Sequence, residues 1–275
     1  MVRLIAFGVG IVFCVALLFG AIQPRDALVA DPIAKYHLAP REISFHSDGI
    51  TGTYDRGQLQ RGFQVYKEVC SACHSLKRVA YRNLADLGFN AAQIKALAKD
   101  AEVPSIDDKT GEVSTRKALP SDKIPGPYAN DQAARAANNN ALPPDFSLLA
   151  KAREEGPRYI VSLVTGYKDA PKDWTVPDGL YYNPYFRSLN IAMPPPLAAD
   201  DQVTYADGTK ATKEQMAEDV AAFMTWAAEP KLEDRKRTGL GAVIFLIILT
   251  GLGYLSYQRV WADIKHPKAG TVPAE

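Results

Sequence analysis

Five residues constrain this chain more than any others: Cys70-Ser71-Ala72-Cys73-His74. Two thiols three residues apart, with an imidazole directly after them, form the attachment signature of a c-type haem. The spacing has a chemical reason. The two thiols reach both vinyl groups of one porphyrin and form two thioethers, while the adjacent His74 lies under the ring and offers its imidazole to iron. A chain tethered in this way must fold around a flat macrocycle. Zinc is the alternative for a C-x-x-C pair, but a structural zinc site needs four ligands. The one other cysteine, Cys14, lies in an apolar run, and His37, His46 and His266 form no second ligand pair. A thioredoxin-like dithiol would leave His74 unexplained.

Haem is coupled to apoprotein outside the bacterial inner membrane, so the segment around Cys70 is expected on the periplasmic side. Export has a candidate signal. Arg3 precedes an uncharged run from Leu4 to Ile22, which fits the n-region and h-region of a secretory signal. The run is also long enough to span a bilayer. Cleavage wants small residues at −3 and −1. A cut after Ala21 puts Phe19 at −3, one after Ala27 puts Arg25 there, and one after Ala30 puts Leu28 there. Residues 1–30 are therefore a signal peptide or a retained N-terminal anchor.

A second apolar run, Thr238 to Tyr257, carries no charge and matches the ~30 Å of a hydrocarbon core. Asp234 to Arg237 bound it on one side and Arg259 on the other, and Tyr254, Tyr257 and Trp261 suit an interfacial aromatic belt. Basic residues flank both ends, so charge bias does not orient it. The haem motif does: a periplasmic domain over 31–237, a transmembrane helix over 238–258 and a short cytoplasmic tail over 259–275.

From Asp31 to Pro230 there are 26 acidic and 23 basic side chains, a net charge of −3 against +1 for the whole chain. A mildly acidic outer domain does not suggest nucleic acid. About 200 residues suffice for one domain with its own core. The pattern is mainly helical. Leu59, Phe63 and Tyr66 follow helical spacing into Cys70. Asn90 with Gln93, Asp145, and Thr212 before Glu214-Gln215 mark helix starts. Pro157 suits the first turn of a helix ending at Gly166. The helix after Thr212 presents Met216, Val220, Phe223, Met224 and Ala227 on one side. The Pro- and Gly-rich stretches 103–128 and 168–196 read as long loops able to wrap a ligand.

Iron needs a sixth partner or an open site. Met216 and Met224 read as core packing on an amphipathic helix. Met193 precedes Pro194-Pro195-Pro196, and proline reduces the freedom lost when a loop is ordered. On the residues alone, Met193 is either an axial thioether or a loop methionine packed on the surface.

The stretch Arg61-Gly62-Phe63-Gln64-Val65-Tyr66 leads into the haem motif. It is followed by Ala133 to Asn139 with Ala141-Leu142-Pro143-Pro144-Asp145, then Leu180 to Phe186, the Met193 loop, and Trp226-Ala227-Ala228-Glu229-Pro230. In that order, covering most of Gly52 to Trp261, these segments resemble the cytochrome c1 family, the haem subunit of the cytochrome bc1 complex, in its bacterial form. The resemblance implies a cytochrome c-like haem domain with long inserted loops and a C-terminal transmembrane helix. It implies one covalent haem c with His74 and Met193 as iron ligands. Arg153 and Tyr159 match positions that meet the propionates, and Asn138 and Pro143 fall in a stretch that lines the pocket.

Cytochrome b, a Rieske iron–sulfur protein as electron donor, a cytochrome c as acceptor, and a dimeric complex in the inner membrane are implied with it. With both axial positions filled, the site suits one-electron transfer during quinol oxidation and makes no bond in a substrate. The nearer alternative is a free-standing, membrane-tethered cytochrome c shuttle. A haem enzyme or gas sensor with an open distal site is the more distant one.

Overall fold

The structure is a computed structural model, and residues 2–22 and 32–265 are described. The cleavage candidates at Ala27 and Ala30 and the tail beyond Lys265 lie outside the described residues. Helix α1, Val2–Ile22, has every side chain exposed. It is apolar enough to cross a membrane, as a signal sequence also is. Residues up to His37 form a unit of their own.

The second unit begins at Leu38. Helix α2, Arg56–Glu68, starts where the Asp55 carboxylate accepts from the amides of Gly57 and Gln58, satisfying donors that have no partner inside the helix. It buries Leu59, Gly62, Phe63, Val65 and Tyr66, the face that the spacing predicts. Helix α3, Ala91–Lys99, carries the expected reciprocal cap between Asn90 and Gln93. Next comes an antiparallel hairpin of β1, Glu102–Ile106, and β2, Val113–Lys117, where the sequence reads a loop. The strand signal is weak because nearly all of the hairpin faces solvent and Val103 alone is buried. Its turn is closed by Asp107, which accepts from the amides of Lys109 and Thr110.

Helix α4, Asp131–Ala137, is capped by Asn130, and the short α5, Leu149–Ala152, follows a 3₁₀ turn capped by Asp145. Helix α6, Gly156–Thr165, has Pro157 in its first turn and ends at Gly166, as expected. The two-residue strands β3, Tyr181–Tyr182, and β4, Asn190–Ile191, pair antiparallel inside the second long loop.

Helix α7, Lys213–Ala228, is the centre of the fold. Thr212 caps it, and Met216, Val220, Phe223, Met224 and Ala227 are buried as predicted. So are Ala217, Asp219, Ala221, Ala222, Trp226 and Ala228, so burial covers far more than one side. The reason is that α7 is flanked by α2, α5, α6 and the 3₁₀ turn at Phe146. Its alanines leave room for those neighbours. The closest approach is at Gly62 of α2, where a Cβ would lie 2.0 Å from the Asp219 carbonyl oxygen and 2.7 Å from Phe223 Cβ. Beside that crossing the Asp219 carboxylate, fully buried, receives Arg61 Nε at 2.9 Å and Gln215 Nε2 at 2.9 Å. A buried carboxylate persists only with such partners.

Helix α8, Leu232–Lys265, contains the second apolar run. It starts six residues before Thr238, because the charged residues ahead of the run continue the helix instead of ending it. Its first turns are fastened to the loop before α2. Glu233 accepts from the Tyr54 amide at 2.7 Å and pairs with Arg56 at 3.1 Å. The Lys236 ammonium donates to the carbonyls of Ser47 at 2.6 Å and Gly52 at 3.2 Å. Tyr54 donates its hydroxyl to the Glu229 carbonyl at 2.9 Å.

Candidate functional site

The Cys70–His74 segment is positioned by the end of α2. A 3₁₀ turn over Cys70–Ala72 follows the helix, with the amides of Cys73 and His74 donating to the Cys70 carbonyl at 3.1 and 2.9 Å. Cys70 is half-buried, Cys73 is exposed, and both thiols are free, as is Cys14. Burial, with Cys73 beside it, pushes the Cys70 thiol up to about 12. Among the described residues no group of three or more His, Cys, Asp or Glu side chains gathers into a metal site. The zinc alternative therefore lacks a ligand set there.

His74 is buried, and its fixing contacts come from a segment 70 residues downstream. Nδ1 lies 2.9 Å from the Pro144 carbonyl oxygen. A carbonyl can only accept, so Nδ1 carries the proton and the Nε2 lone pair is left for a metal. The imidazole stacks on Phe146 at 4.1 Å between ring centroids, and Tyr66 donates its hydroxyl to the His74 carbonyl at 3.1 Å. Burial pushes the imidazole below its ordinary value, against the opposing effects of the Pro144 bond and Asp145. Neutral imidazole is the ligating form. Asp145 ties the two segments together, accepting from the Ser75 hydroxyl and the Lys77 amide, both at 2.8 Å. Aromatic contacts continue from Phe146 to Tyr66 and on to Phe223 of α7.

The sequence singled out Asn138 and Pro143 in this region. Asn138 donates to the Tyr128 hydroxyl at 2.9 Å and the Ala134 carbonyl at 2.6 Å, bracing its own loop. Pro143 is half-buried. Its neighbour Pro144 makes the bond to His74, and Phe146 makes the ring contact. Pro144 closes the same pocket-lining stretch that the resemblance implies, but a proline carbonyl carries no side-chain signal, and Phe146 lies just beyond that stretch.

Met193 lies two residues beyond β4 and is half-buried. The segment before it is held firmly. Asn183, fully buried, donates to the Leu163 carbonyl of α6 at 2.7 Å and receives the Tyr185 amide at 3.1 Å. Trp174 donates to the Asn190 side chain at 3.1 Å. Beyond Met193, Gln202 donates to the Pro196 carbonyl at 3.0 Å and accepts from the Ala198 amide at 2.9 Å. The Met193 carbonyl itself accepts from the Tyr167 hydroxyl at 2.9 Å.

Arg153 and Tyr159 lie near each other: burial raises the Tyr159 hydroxyl above its ordinary value, and the Arg153 guanidinium opposes that effect. Tyr167 lies close to Tyr159 and Tyr181. Burial and those two neighbours raise its hydroxyl well above the ordinary tyrosine value, so it stays protonated and able to donate. Phe146 belongs to the buried core and Tyr159 packs against it. Met216 and Met224 are fully buried on α7, as expected of core methionines.

The donor set fits a covalently held haem. Two free thiols stand at the right spacing, a neutral imidazole has one nitrogen committed and the other free, and a thioether lies in a braced loop.

Comparison with known proteins gives a consistent result. A sequence-family model described as the Cytochrome C1 family matches residues 45–264. The chain is 51% identical over 234 residues to cytochrome c1 of Rhodospirillum rubrum, covering 79% of this chain and 86% of the relative. It is 45% identical over 269 residues to the mitochondrial cytochrome b-c1 complex catalytic subunit of Candida albicans, covering 97% and 92%. It is 44% identical over 237 residues to cytochrome b/c1 of Bradyrhizobium diazoefficiens, covering 78% of this chain and 34% of that longer one.

Proposed function

The chain belongs to the cytochrome c1 family, and from that premise we propose how its residues serve the haem subunit of a cytochrome bc1 complex. The cofactor is one covalent haem c, which when bound supplies a one-electron couple. Cys70 and Cys73 provide the two thioether sulfurs. His74 Nε2 and Met193 Sδ would hold the iron, and a haem held by both would supply electron transfer rather than oxygen or peroxide chemistry. Arg153, near Tyr159, would offset the charge of a propionate, a role suited to a guanidinium. Asn138 and Pro143 brace the pocket wall. The observation that carries this reading is the Pro144 carbonyl bond at 2.9 Å, which commits Nδ1 of His74 and frees Nε2.

The electron donor is a Rieske iron–sulfur protein and the acceptor is a cytochrome c. The domain over 31–237 stands on the periplasmic side of the inner membrane, anchored by the 238–258 segment of α8, with 259–275 in the cytoplasm. The complex with cytochrome b is dimeric. The names borne by the Candida and Bradyrhizobium relatives support the complex with cytochrome b.

Solubilisation from native membranes in mild detergent tests the reading. The chain is expected to co-elute with cytochrome b and an iron–sulfur protein. A haem-loaded chain eluting alone would favour a free-standing shuttle.

The anchor also has a clean test. A chain cut before Thr238, with α1 replaced by a cleavable signal, is expected to be water-soluble and to hold its haem. The cut leaves Glu229, Glu233 and Lys236 on the domain side, so the contacts to Tyr54, Ser47 and Gly52 survive. A truncated chain without haem would show that the spanning part of α8 belongs to the fold.

A further inference from the structure

We propose that Tyr167 is the positioning residue for the Met193 thioether, an inference that rests on Met193 being the axial ligand. Residues 194–196 are all prolines, and proline has no backbone N–H. Directly after Met193 the chain therefore has three consecutive positions with acceptors and no donors. It cannot tie itself down through its own amides, so a donor must come from elsewhere. The Tyr167 hydroxyl supplies it, 2.9 Å from the Met193 carbonyl oxygen. The next fixed point on that side is Gln202 at the Pro196 carbonyl, three residues away.

Tyr167 stands on a rigid platform. It follows Gly166, over which the Tyr185 ring lies so closely that a Cβ would come within 2.4 Å of it. The end of α6 is tied by Asn183 to the Leu163 carbonyl at 2.7 Å, and Ser162 accepts from the Arg41 amide at 2.8 Å. Helix α6 packs on α7. The hydroxyl thus transmits the position of the helical core to the backbone of the ligand residue. Burial keeps the hydroxyl protonated and able to donate.

Tyr167→Phe in the full chain, within its membrane complex, isolates the hydroxyl. The probe is imidazole added to the oxidised protein. Its nitrogen forms a bond to iron as the thioether–iron bond breaks, with no change of oxidation state. Loss of one hydrogen bond is expected to tighten imidazole binding roughly fivefold, which is about 1 kcal/mol. The Met–iron charge-transfer band should weaken, while haem content stays at the wild-type level. Wild-type imidazole affinity in Tyr167→Phe overturns the proposal.

Two further variants keep the outcomes distinct. Gln202→Ala loosens the same segment at its far end, and an equal gain in affinity from it would reduce Tyr167 to a general brace and overturn the assignment. Met193→Leu tests the premise. If it leaves the band intact, the ligation reading falls and this proposal with it. If it abolishes the band while Tyr167→Phe behaves as wild type, the positioning proposal alone falls.

Discussion

Met193→Leu is expected to leave the haem covalently attached while lowering its reduction potential by ~0.2 V. The thioethers at Cys70 and Cys73 do not depend on the sixth ligand, so haem content should not change. Leucine keeps the volume of the side chain but offers no sulfur. Thioether ligation raises the potential of a haem iron, and axial ligation as a whole spans about 0.8 V across haem proteins. A fall of ~0.2 V corresponds to about 5 kcal/mol for one electron. That is enough to block uptake from a high-potential donor. The bond from Tyr167 goes to the Met193 backbone and survives the change, so the loop should hold its course and the loss be confined to the iron. Redox titration of the purified complex measures it. An unchanged midpoint with the charge-transfer band intact would remove Met193 from the ligand set.

The largest effect expected on stability comes from a single methyl group. Gly62→Ala should destabilise the haem domain by roughly 3 kcal/mol, the upper part of the usual range for overpacking. For a domain of this size that lowers the melting temperature by about 6–12 °C. Intrinsic helix propensity pulls the other way, favouring alanine over glycine by about 1 kcal/mol. Contact wins because the new Cβ would lie 2.0 Å from the Asp219 carbonyl oxygen. That oxygen is backbone of a buried helix and cannot swing aside. Phe223 Cβ, 2.7 Å away, blocks the other direction. Gly57 on the same helix is the internal control. There a Cβ meets only side-chain atoms, Asp55 Oδ1 at 3.3 Å and Arg61 Nη1 at 3.7 Å, so Gly57→Ala should melt close to the wild type. Equal melting temperatures for the two variants would show that α2 and α7 can separate without cost.

Much of this fold was legible because its signals are local. The cap at Asn90 with Gln93, the cap at Thr212, and the pair of Pro157 and Gly166 are each set by a few neighbouring residues, and each stands where the sequence puts it. The haem motif is local as well. What escaped was set by distant partners. The near-complete burial of α7 depends on three helices elsewhere in the chain. The hairpin from Glu102 to Lys117 has no apolar alternation, because almost none of it is buried. The start of α8 was hidden by Asp234 to Arg237. These residues look like a flank, yet Leu232 ahead of them is buried and Glu233 and Lys236 are bound by the loop before α2. In the site, the bond to His74 comes from a proline carbonyl, and the bond to Met193 comes from one of 13 tyrosines. Neither partner differs from its peers in sequence.

The clamp at the head of α8 has a geometric consequence. An unbroken α-helix keeps a fixed phase from end to end, advancing about 100° and 1.5 Å with each residue. Because Glu233 and Lys236 are bound by the domain and the helix runs on without interruption through the apolar run, the compass bearing of the domain is locked to the direction in which each face of that run points. Adding or removing one residue in the first apolar turn would leave every domain contact intact and still swing the haem through more than a quarter of a circle. The bearing of the domain about the helix axis is thus encoded in the count of residues between the clamp and the apolar run.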